Sequence, residues 1–286
     1  MKVLVIGSDG QLGLEFQKIS NSCNSLSWFF STIKTLDLLK LDSISSFLND
    51  IKPSVIINCA AYTSVDKAET ESELADIINY KAVDIISNWT SDNNKKLIHF
   101  STDYVFDGLS QTPLNENSFT NPVNEYGFSK LKGEQVCLLN DPTSIIIRTS
   151  WLYSSFGNNF VKTMIELMKK NKSIKVVNDQ IGSPTYAYDL AKVIVKIIMY
   201  HKTESGLFHY SNEGEISWFE FARSIRELYK LDCEIIGVSS KEFKTLAKRP
   251  KYSLLNKSKI KTTFNLEILN YKQSLENCIE IIKNEA

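Results

Sequence analysis

A tyrosine and a lysine stand four residues apart in the segment Tyr126-Gly127-Phe128-Ser129-Lys130. Side chains at this spacing share one face of a helix. A nearby cation favours the phenolate, so we expect Lys130 to lower the pKa of Tyr126 towards the range of a working acid or base. In a carbonyl reduction, the Tyr126 phenol would protonate the oxygen as hydride arrives at carbon. An ordinary pair on a helix surface is the competing interpretation.

Hydroxyl side chains follow the apolar run Leu97–Phe100, in the order Ser101, Thr102 and then Asp103. Ligands of α/β proteins bind at the carboxyl ends of parallel strands. Thr102 is therefore expected to orient a substrate carbonyl beside Tyr126, and Ser101 is the alternative. Such residues are also common in capped turns, which is the purely structural interpretation.

Three glycines, Gly7, Gly10 and Gly13, come directly after the first apolar run, Val3–Ile6, at GxxGxxG spacing. Their missing side chains permit a tight turn and let backbone amides approach a pyrophosphate at the start of the next helix. That helix is expected to begin near Leu12. The segment predicts a dinucleotide site in the first βα turn, although glycine turns also occur for structural reasons alone.

The second apolar run, Leu26–Phe30, is not followed by the carboxylate that usually accepts the ribose hydroxyls of NAD. The first acidic residue after it is Asp37. Ser31, Thr32 and Lys34 could instead hold a 2′-phosphate, which favours NADPH as the coenzyme, with NADH as the alternative. A solvated surface charge is an equally good interpretation of Lys34.

Short apolar runs without polar alternation predict strands that are buried on both faces of a parallel sheet. The runs are Val3–Ile6, Leu26–Phe30, Val55–Ile57, Leu97–Phe100, Ser144–Ile147 and Leu207–Tyr210. Helices are predicted between them at Ser43–Asp50, Glu71–Ser91, Glu125–Leu139 and Tyr188–Tyr200. This alternation predicts the α/β class with a doubly wound parallel-sheet Rossmann fold.

The strand pattern loosens after Trp151. We expect residues 1–150 to form a dinucleotide-binding Rossmann domain and residues 151–286 to form mainly a smaller C-terminal substrate-binding lid. Loops are predicted at Tyr153–Asn159 and Asn178–Tyr186, and helices near Phe160–Lys170, Ser217–Lys230 and Tyr271–Lys283. The helix near residues 185–201 is expected to return to the first domain.

Composition limits the classes of partner and compartment. Lys plus Arg equals Asp plus Glu at 33 each, without long blocks of one sign, so neither nucleic acid nor an anionic membrane is an expected partner. The five cysteines include no CxxC pair, which indicates reduced thiols and a cytoplasmic protein without structural zinc. The apolar stretches are too short for a signal peptide or a membrane span.

Four segments taken together resemble the dTDP-4-dehydrorhamnose reductase family of the extended short-chain dehydrogenases/reductases. They are Gly7–Gly13, Asn58–Glu69, Ser101–Gly108 and Tyr126–Lys130. The likeness continues in Arg148–Tyr153, Gly157–Phe160, Asn178–Thr185, Arg249-Pro250 and Leu255-Asn256, so it covers nearly the whole chain.

The resemblance implies NAD(P)H-dependent reduction of the 4-keto group of dTDP-4-dehydro-L-rhamnose to dTDP-L-rhamnose, a donor for bacterial surface polysaccharide. It assigns catalysis to Tyr126, Lys130 and Thr102. The expected coenzyme contacts include the glycines and Ser31 named above. They are Gly7, Gly10, Gln11, Leu12, Gly13, Ser31, Asp37, Leu38, Ala60, Ala61, Tyr62, Thr63, Phe100, Tyr126 and Lys130. The expected substrate contacts are Val65, Thr102, Asp103, Tyr104 and Trp151.

Some members of that family bind magnesium across a dimer through acidic side chains. Glu15 fits this pattern, but Tyr188 stands where a second acid is expected, so no metal is predicted. The expected partner is a small nucleotide-sugar substrate, and the chain is expected to be a monomer or a homodimer. One alternative is a reductase of another nucleotide-linked 4-keto-6-deoxy sugar. An alternative from another class is a non-catalytic NADP-binding regulatory subunit.

Overall fold

The computed structural model describes residues 1–200 and 203–285. The strands in this part of the chain are β1 (Lys2–Ile6), β2 (Ser27–Ser31), β3 (Val55–Asn58), β4 (Lys96–Thr102), β5 (Ile145–Thr149), β6 (Leu152–Tyr153), β7 (Ser173–Val177), β8 (Ile181–Gly182), β9 (Thr185–Tyr186), β10 (Gly206–His209), β11 (Ile216–Ser217) and β12 (Glu234–Val238). The helices are α1 (Gln11–Ser20), α2 (Leu41–Ile51), α3 (Val65–Ala68), α4 (Ser72–Asp76), α5 (Ala82–Asp92), α6 (Glu125–Asn140), α7 (Phe160–Lys170), α8 (Ala187–Tyr200), α9 (Trp218–Tyr229), α10 (Ser258–Phe264) and α11 (Tyr271–Asn284).

Six parallel strands form the central sheet, in the order β10-β5-β4-β3-β1-β2. Successive side chains of a strand point to opposite faces, and both faces of this sheet are covered. Val3 and Val5 pack in one core with α1, α8 and α10, whereas Leu4 and Ile6 pack in another with α2, α5 and α6. The predicted α/β class and doubly wound parallel sheet are confirmed.

A further core lies in the C-terminal part of the chain, where α7, α9 and α11 pack with β7 and β12. β7 and β12 form a parallel pair that the sequence did not predict. The helix α8 contacts α1 and packs in the same core as β1, and residue 201 of the predicted helix lies outside the described residues. The predicted loop Asn178–Tyr186 contains β8 and β9, two strands of only two residues each.

The predicted single helix Glu71–Ser91 is interrupted in the structure by a π-helical turn, Ile77–Lys81, between α4 and α5. Asn79 in this turn pins the loop after β3, because its side chain accepts from the Tyr62 amide (2.9 Å) and donates to the Tyr62 carbonyl (3.0 Å). The side-chain amide of Asn79 also donates to the Ser129 hydroxyl of α6 at 2.9 Å. Such turns often occur near functional sites, and this one joins two segments that line a cleft described below.

Among the residues that the structure describes, none of the helices is both long and apolar enough to cross a membrane.

Candidate active site

A cavity of about 490 Å³ lies at the carboxyl end of the sheet. Its walls come from the glycine turn, from the ends of β4 and β5, from α6 and from the C-terminal part of the chain. The lining residues are Gly10, Gln11, Leu12, Cys59, Ala61, Thr63, Val65, Phe100, Ser101, Thr102, Asp103, Tyr104, Tyr126, Lys130, Thr149, Ser150, Trp151, Leu152, Asn158, Asn159 and Trp218. Residues far apart in the sequence thus meet in one cleft, as expected for the switch point of an open α/β sheet.

The position of Tyr126 follows from the way in which α6 begins. Asn124 caps the helix by accepting a hydrogen bond from the Gly127 amide at 2.8 Å. A Cβ at Gly127 would lie 2.3 Å from the Tyr104 carbonyl oxygen, so only glycine allows the first turn to approach that segment. The Tyr126 ring then packs edge-on against Tyr104, with ring centroids 5.8 Å apart.

Desolvation in the cleft raises the pKa of Tyr126 to about 12, although a hydrogen bond with Thr102 opposes the rise. The negative charge of Asp103 raises it further. The expectation that Lys130 lowers this pKa is wrong, because desolvation is the largest effect on the phenol. Tyr126 is accordingly a protonated group, which suits a proton donor.

Lys130 is buried, with 2% of its surface exposed. Its ammonium group donates to the Phe100 carbonyl oxygen at 2.6 Å and lies 3.5 Å from Nε2 of His99. Asn58 Nδ2 lies 3.2 Å from the other ring nitrogen of His99. Desolvation lowers the pKa of Lys130 to about 8. The lysine is thus held by β3 and β4 at the floor of the cleft, below Tyr126.

Thr102 and Asp103 form a short polar chain beside Tyr126. The Thr102 hydroxyl accepts from the Tyr104 amide at 3.1 Å and donates to Asp103 at 3.2 Å. The other Asp103 oxygen accepts from Ser253 at 2.6 Å. Desolvation outweighs both hydrogen bonds and raises the pKa of Asp103 to about 7. The carboxyl therefore titrates near neutral pH.

Ser101, the alternative to Thr102, also lines the cleft. Its buried hydroxyl has no hydrogen-bond partner within residues 1–200 and 203–285. Because the hydrogen bond to Tyr126 involves Thr102, the geometry favours Thr102 as the hydroxyl that acts with the phenol.

The turn between β1 and α1 requires glycine at two of its positions. Gly7 has φ +74°, and a Cβ there would lie 2.6 Å from the Ala60 amide nitrogen. A Cβ at Gly13 would lie 2.4 Å from the Gly7 carbonyl oxygen, so α1 packs against the turn only with glycine at this position. The helix begins without a side-chain cap and without an acidic residue in its first turn. Its first amides are therefore available to an anion.

A second cavity, of about 360 Å³, adjoins the glycine turn on the side of β2. Its lining is mainly apolar, as suits an adenine ring, and consists of Ile6, Gly7, Asp9, Gly10, Ile33, Leu36, Asp37, Leu38, Leu39, Cys59, Ala60, Ala61 and Ile78. Three of the expected coenzyme contacts, Asp37, Leu38 and Ala60, line this second cavity.

Three predicted coenzyme contacts, Gly13, Ser31 and Tyr62, line neither cavity. Ser31 is 1% exposed, its hydroxyl bonds to Thr35, and its carbonyl accepts from the Gly7 and Ser8 amides at 2.9 Å each. The Ser31 hydroxyl is therefore not presented to a 2′-phosphate, contrary to the sequence-based expectation. Ser31 and Gly13 shape the turn instead.

Tyr62 lies at the rim, and its hydroxyl donates to Glu71 at 2.5 Å. Desolvation, together with Glu71, raises the pKa of Tyr62 to about 12. Its backbone is held by Asn79, as described above, so Tyr62 supports the adjacent Ala61 and Thr63, which do line the cleft.

Four lining residues from the C-terminal part were not singled out from the sequence as site residues: Leu152, Asn158, Asn159 and Trp218. Asn159 donates to the Gln11 side chain at 3.0 Å and caps α7 by accepting from the Lys162 amide. The asparagine before an amphipathic helix was a visible capping signal, but nothing local indicated that it faces the glycine turn.

Glu15, which was considered for a metal, is fully buried and accepts from Ser154 at 2.6 Å. Burial raises the pKa of Glu15. Over the described residues, no three His, Cys, Asp or Glu side chains form a group that could hold a metal ion. The hydrogen bond between Glu15 and Ser154 instead joins α1 to the segment after β6.

Comparison with known proteins identifies the family. A family model described as "RmlD substrate binding domain" matches residues 1–284. A dTDP-4-dehydrorhamnose reductase from Aggregatibacter actinomycetemcomitans is 36% identical over 96% of this chain and 97% of its own. The crystal structure of a dTDP-4-dehydrorhamnose reductase from Clostridium acetobutylicum superposes with a TM-score of 0.95, 38% identity, and coverage of 99% of this chain and 100% of that one.

A dTDP-4-dehydrorhamnose reductase from Bacillus anthracis, solved in complex with NADP, has a TM-score of 0.94 and 38% identity, over 98% of this chain and 99% of that one. Together with the glycine turn and the Tyr126–Lys130 helix, these matches over nearly the full length leave one assignment. The chain belongs to the RmlD family, that of the dTDP-4-dehydrorhamnose reductases.

Proposed function

We propose that the protein reduces the 4-keto group of dTDP-4-dehydro-L-rhamnose to dTDP-L-rhamnose with a nicotinamide coenzyme, preferably NADPH. The observation that carries this proposal is the cleft in which Tyr126 and Thr102 meet the glycine turn. The near full-length relatives named above, which are reductases of this substrate by name, support the choice of sugar.

The coenzyme would lie along the two adjoining cavities. Backbone amides at Gly10, Gln11 and Leu12 would hold the pyrophosphate, since α1 begins there without a competing cap. The apolar surface at Leu38 and Ala60 would take the adenine. When bound, the coenzyme supplies the hydride that adds to the keto carbon.

The protein's own contribution is the proton. The Tyr126 hydroxyl would donate it to the keto oxygen, so that hydride at carbon and a proton at oxygen together give the alcohol. Thr102 would orient the carbonyl and the phenol through its hydroxyl, and Lys130 would hydrogen-bond the nicotinamide ribose of the coenzyme. Val65, Asp103, Tyr104 and Trp151 would contact the sugar nucleotide.

The preference for NADPH rests on the half-buried Thr32 and the exposed Lys34 after β2, because Ser31 is turned into the protein. The Bacillus anthracis relative was solved in complex with NADP, which supports the same choice. We further propose that the enzyme acts in the cytoplasm as a monomer or a homodimer, in keeping with its five free cysteines.

The test is the decrease in NADPH absorbance, and separately in NADH absorbance, with enzymatically prepared dTDP-4-dehydro-L-rhamnose and chromatographic analysis of the product. Tyr126→Phe should lower kcat by at least about a hundredfold while NADPH still binds, because only the proton donor is removed. Tyr200→Phe, a change on a side chain that is 72% exposed, is the matched control and should keep full activity.

Full turnover by Tyr126→Phe would exclude the phenol as proton donor. Turnover of other nucleotide-linked 4-keto-6-deoxy sugars, but not of the dTDP-rhamnose precursor, would replace the substrate. Coenzyme binding with no reduction of any such sugar, together with binding of a partner enzyme, would indicate a regulatory subunit instead.

A further inference from the structure

Trp151 has an unusual backbone conformation at the edge of the cleft. Its φ of +49° lies in the left-handed region, which bulky side chains rarely adopt. The flanking backbone is tied down, because Ser150 donates to the Ser183 carbonyl at 2.6 Å and the Trp151 carbonyl accepts from Thr185 at 3.2 Å. A strained residue of this kind persists only where its surroundings hold it, and it often marks a functional site.

The side chain of Trp151 is held by a second tryptophan. The rings of Trp151 and Trp218 stack with centroids 3.7 Å apart and planes at 12°. Phe160 packs on Trp218 at 4.4 Å. Gly182 lies so close that an added Cβ would be 3.0 Å from Cε2 and Cζ2 of Trp151. The indole of Trp151 therefore has little freedom to change its position.

Trp218 is itself rigidly placed at the first position of α9. Ser217 and Glu220 form a capping box, with the Ser217 amide donating to the Glu220 carboxylate at 2.7 Å and the Glu220 amide donating to the Ser217 hydroxyl at 3.1 Å. Just before the helix, Ile216 pairs with Gly182 in the β11–β8 ladder. The segments that hold Trp218 and Gly182 are thus joined, and both bear on Trp151.

We propose that Trp218 is a substrate-positioning residue of the reductase: it fixes Trp151 and, together with it, forms an aromatic wall that binds the sugar of the nucleotide sugar. Both tryptophans line the same cleft as Tyr126. The C–H groups of a 6-deoxyhexose form an apolar surface that packs well against indole, and a rigid wall presents the keto carbon to Tyr126 in one orientation. This proposal rests on the function proposed above.

The wall is tested with Trp218→Leu and Trp218→Phe, and with Trp28→Phe as the matched control. Trp28 stacks on Phe30 beside β1, in a different core. Trp218→Leu should raise the KM for the sugar nucleotide about tenfold, and Trp218→Phe about threefold or less, because a ring in that place still supports Trp151. The KM for NADPH should change less than twofold in each variant.

A spectroscopic readout reports the stack independently of turnover. Two indoles stacked at 3.7 Å should give an exciton couplet in the far-ultraviolet circular dichroism spectrum. The couplet should disappear in both Trp218 variants and remain in Trp28→Phe. Titration with dTDP-L-rhamnose, followed by fluorescence, should show weaker binding to Trp218→Leu than to the wild type.

An unchanged KM and an unchanged dTDP-L-rhamnose affinity in Trp218→Leu, with the couplet lost, would overturn the role of Trp218. An equal loss of NADPH affinity would also overturn it, because the residue would then only support the fold. If the wild type neither binds dTDP-L-rhamnose nor reduces its precursor, the proposed function is wrong, and the proposed sugar-binding role of the wall is then also wrong.

Discussion

The Asp103 carboxyl should make the stability of the protein depend on pH in a direction opposite to most acidic groups. The side chain is 2% exposed and is fixed between Thr102 and Ser253. Desolvation raises the pKa of Asp103 from the ordinary 3.8 to about 7. The folded protein therefore keeps a proton on this carboxyl over a pH range in which the unfolded chain has lost it.

The sign follows from the count of protons. Between pH 3.8 and 7 the folded state binds one proton more than the unfolded state, so the free energy of unfolding falls as pH rises through this window. Each pKa unit corresponds to about 1.4 kcal/mol, so the difference of roughly three units amounts to about 4 kcal/mol. About 3 kcal/mol of this is lost between pH 5 and pH 8.

Asp103→Asn retains the shape of the side chain but cannot ionise, so its stability should fall about 3 kcal/mol less than that of the wild type between pH 5 and pH 8. The measurement is urea unfolding at both pH values without coenzyme or substrate. Other titrating groups, such as Glu15, are common to both proteins and cancel in the difference. Asp232→Asn, at an exposed position, is the control and should behave like the wild type.

If the wild type and Asp103→Asn lose stability equally over this range, the Asp103 carboxyl is already ionised at pH 5. The argument from desolvation would then be refuted. A wild type that becomes more stable as pH rises, relative to the variant, would show instead that the hydrogen bonds from Thr102 and Ser253 dominate.

Two ion pairs give further predictions, one on the KM for the sugar nucleotide and one on the free energy of unfolding. Arg249 pairs at 2.6 Å with Asp66, which follows the cleft residue Val65 in α3, and both side chains are partly exposed. Arg249→Gln should therefore raise the KM for the sugar nucleotide by about fivefold at low salt and less at high salt; a salt-independent change would contradict a screened pair. Arg148 and Glu134 form a bidentate pair that is almost fully buried. Arg148→Met leaves the buried Glu134 carboxylate without its partner and should reduce the free energy of unfolding, measured by urea denaturation, by about 3–5 kcal/mol. A loss under about 1 kcal/mol would contradict this reasoning.

The Rossmann half could be predicted from the sequence because its signals are local. A continuous apolar run such as Val55–Ile57 identifies a strand buried on both faces, and the structure buries all of β3. The strand β7 escaped notice because Ser173–Val177 is short and alternates between exposed and buried residues. Its partner β12 lies more than fifty residues later, and no local pattern indicates such a pairing.

The candidate site divides in the same way. The glycine turn and the Tyr126–Lys130 spacing were visible because each lies within one turn or one helix. The raised pKa of Tyr126 could not be predicted from the sequence, because it depends on desolvation by packing that involves Tyr104 and the end of β4. Trp218 was also missed: its capping box marked the start of a helix, but its stacking on Trp151 arises only from the tertiary fold.

The coenzyme turn and the sugar-binding wall are joined by buried polar contacts around the cleft. Asn159 donates to Gln11 at 3.0 Å, and Ser154 donates to Glu15 at 2.6 Å, so two residues near the start of α1 bind the segment that leads into α7. Gln11 lines the coenzyme side of the cleft, and Asn159 begins the helix that carries Phe160 against Trp218. If the protein has the function proposed above, one connected set of residues would therefore set the positions of both coenzyme and sugar. Such coupling is what hydride transfer needs, because the two reacting carbons must be held within about 3–3.5 Å of each other.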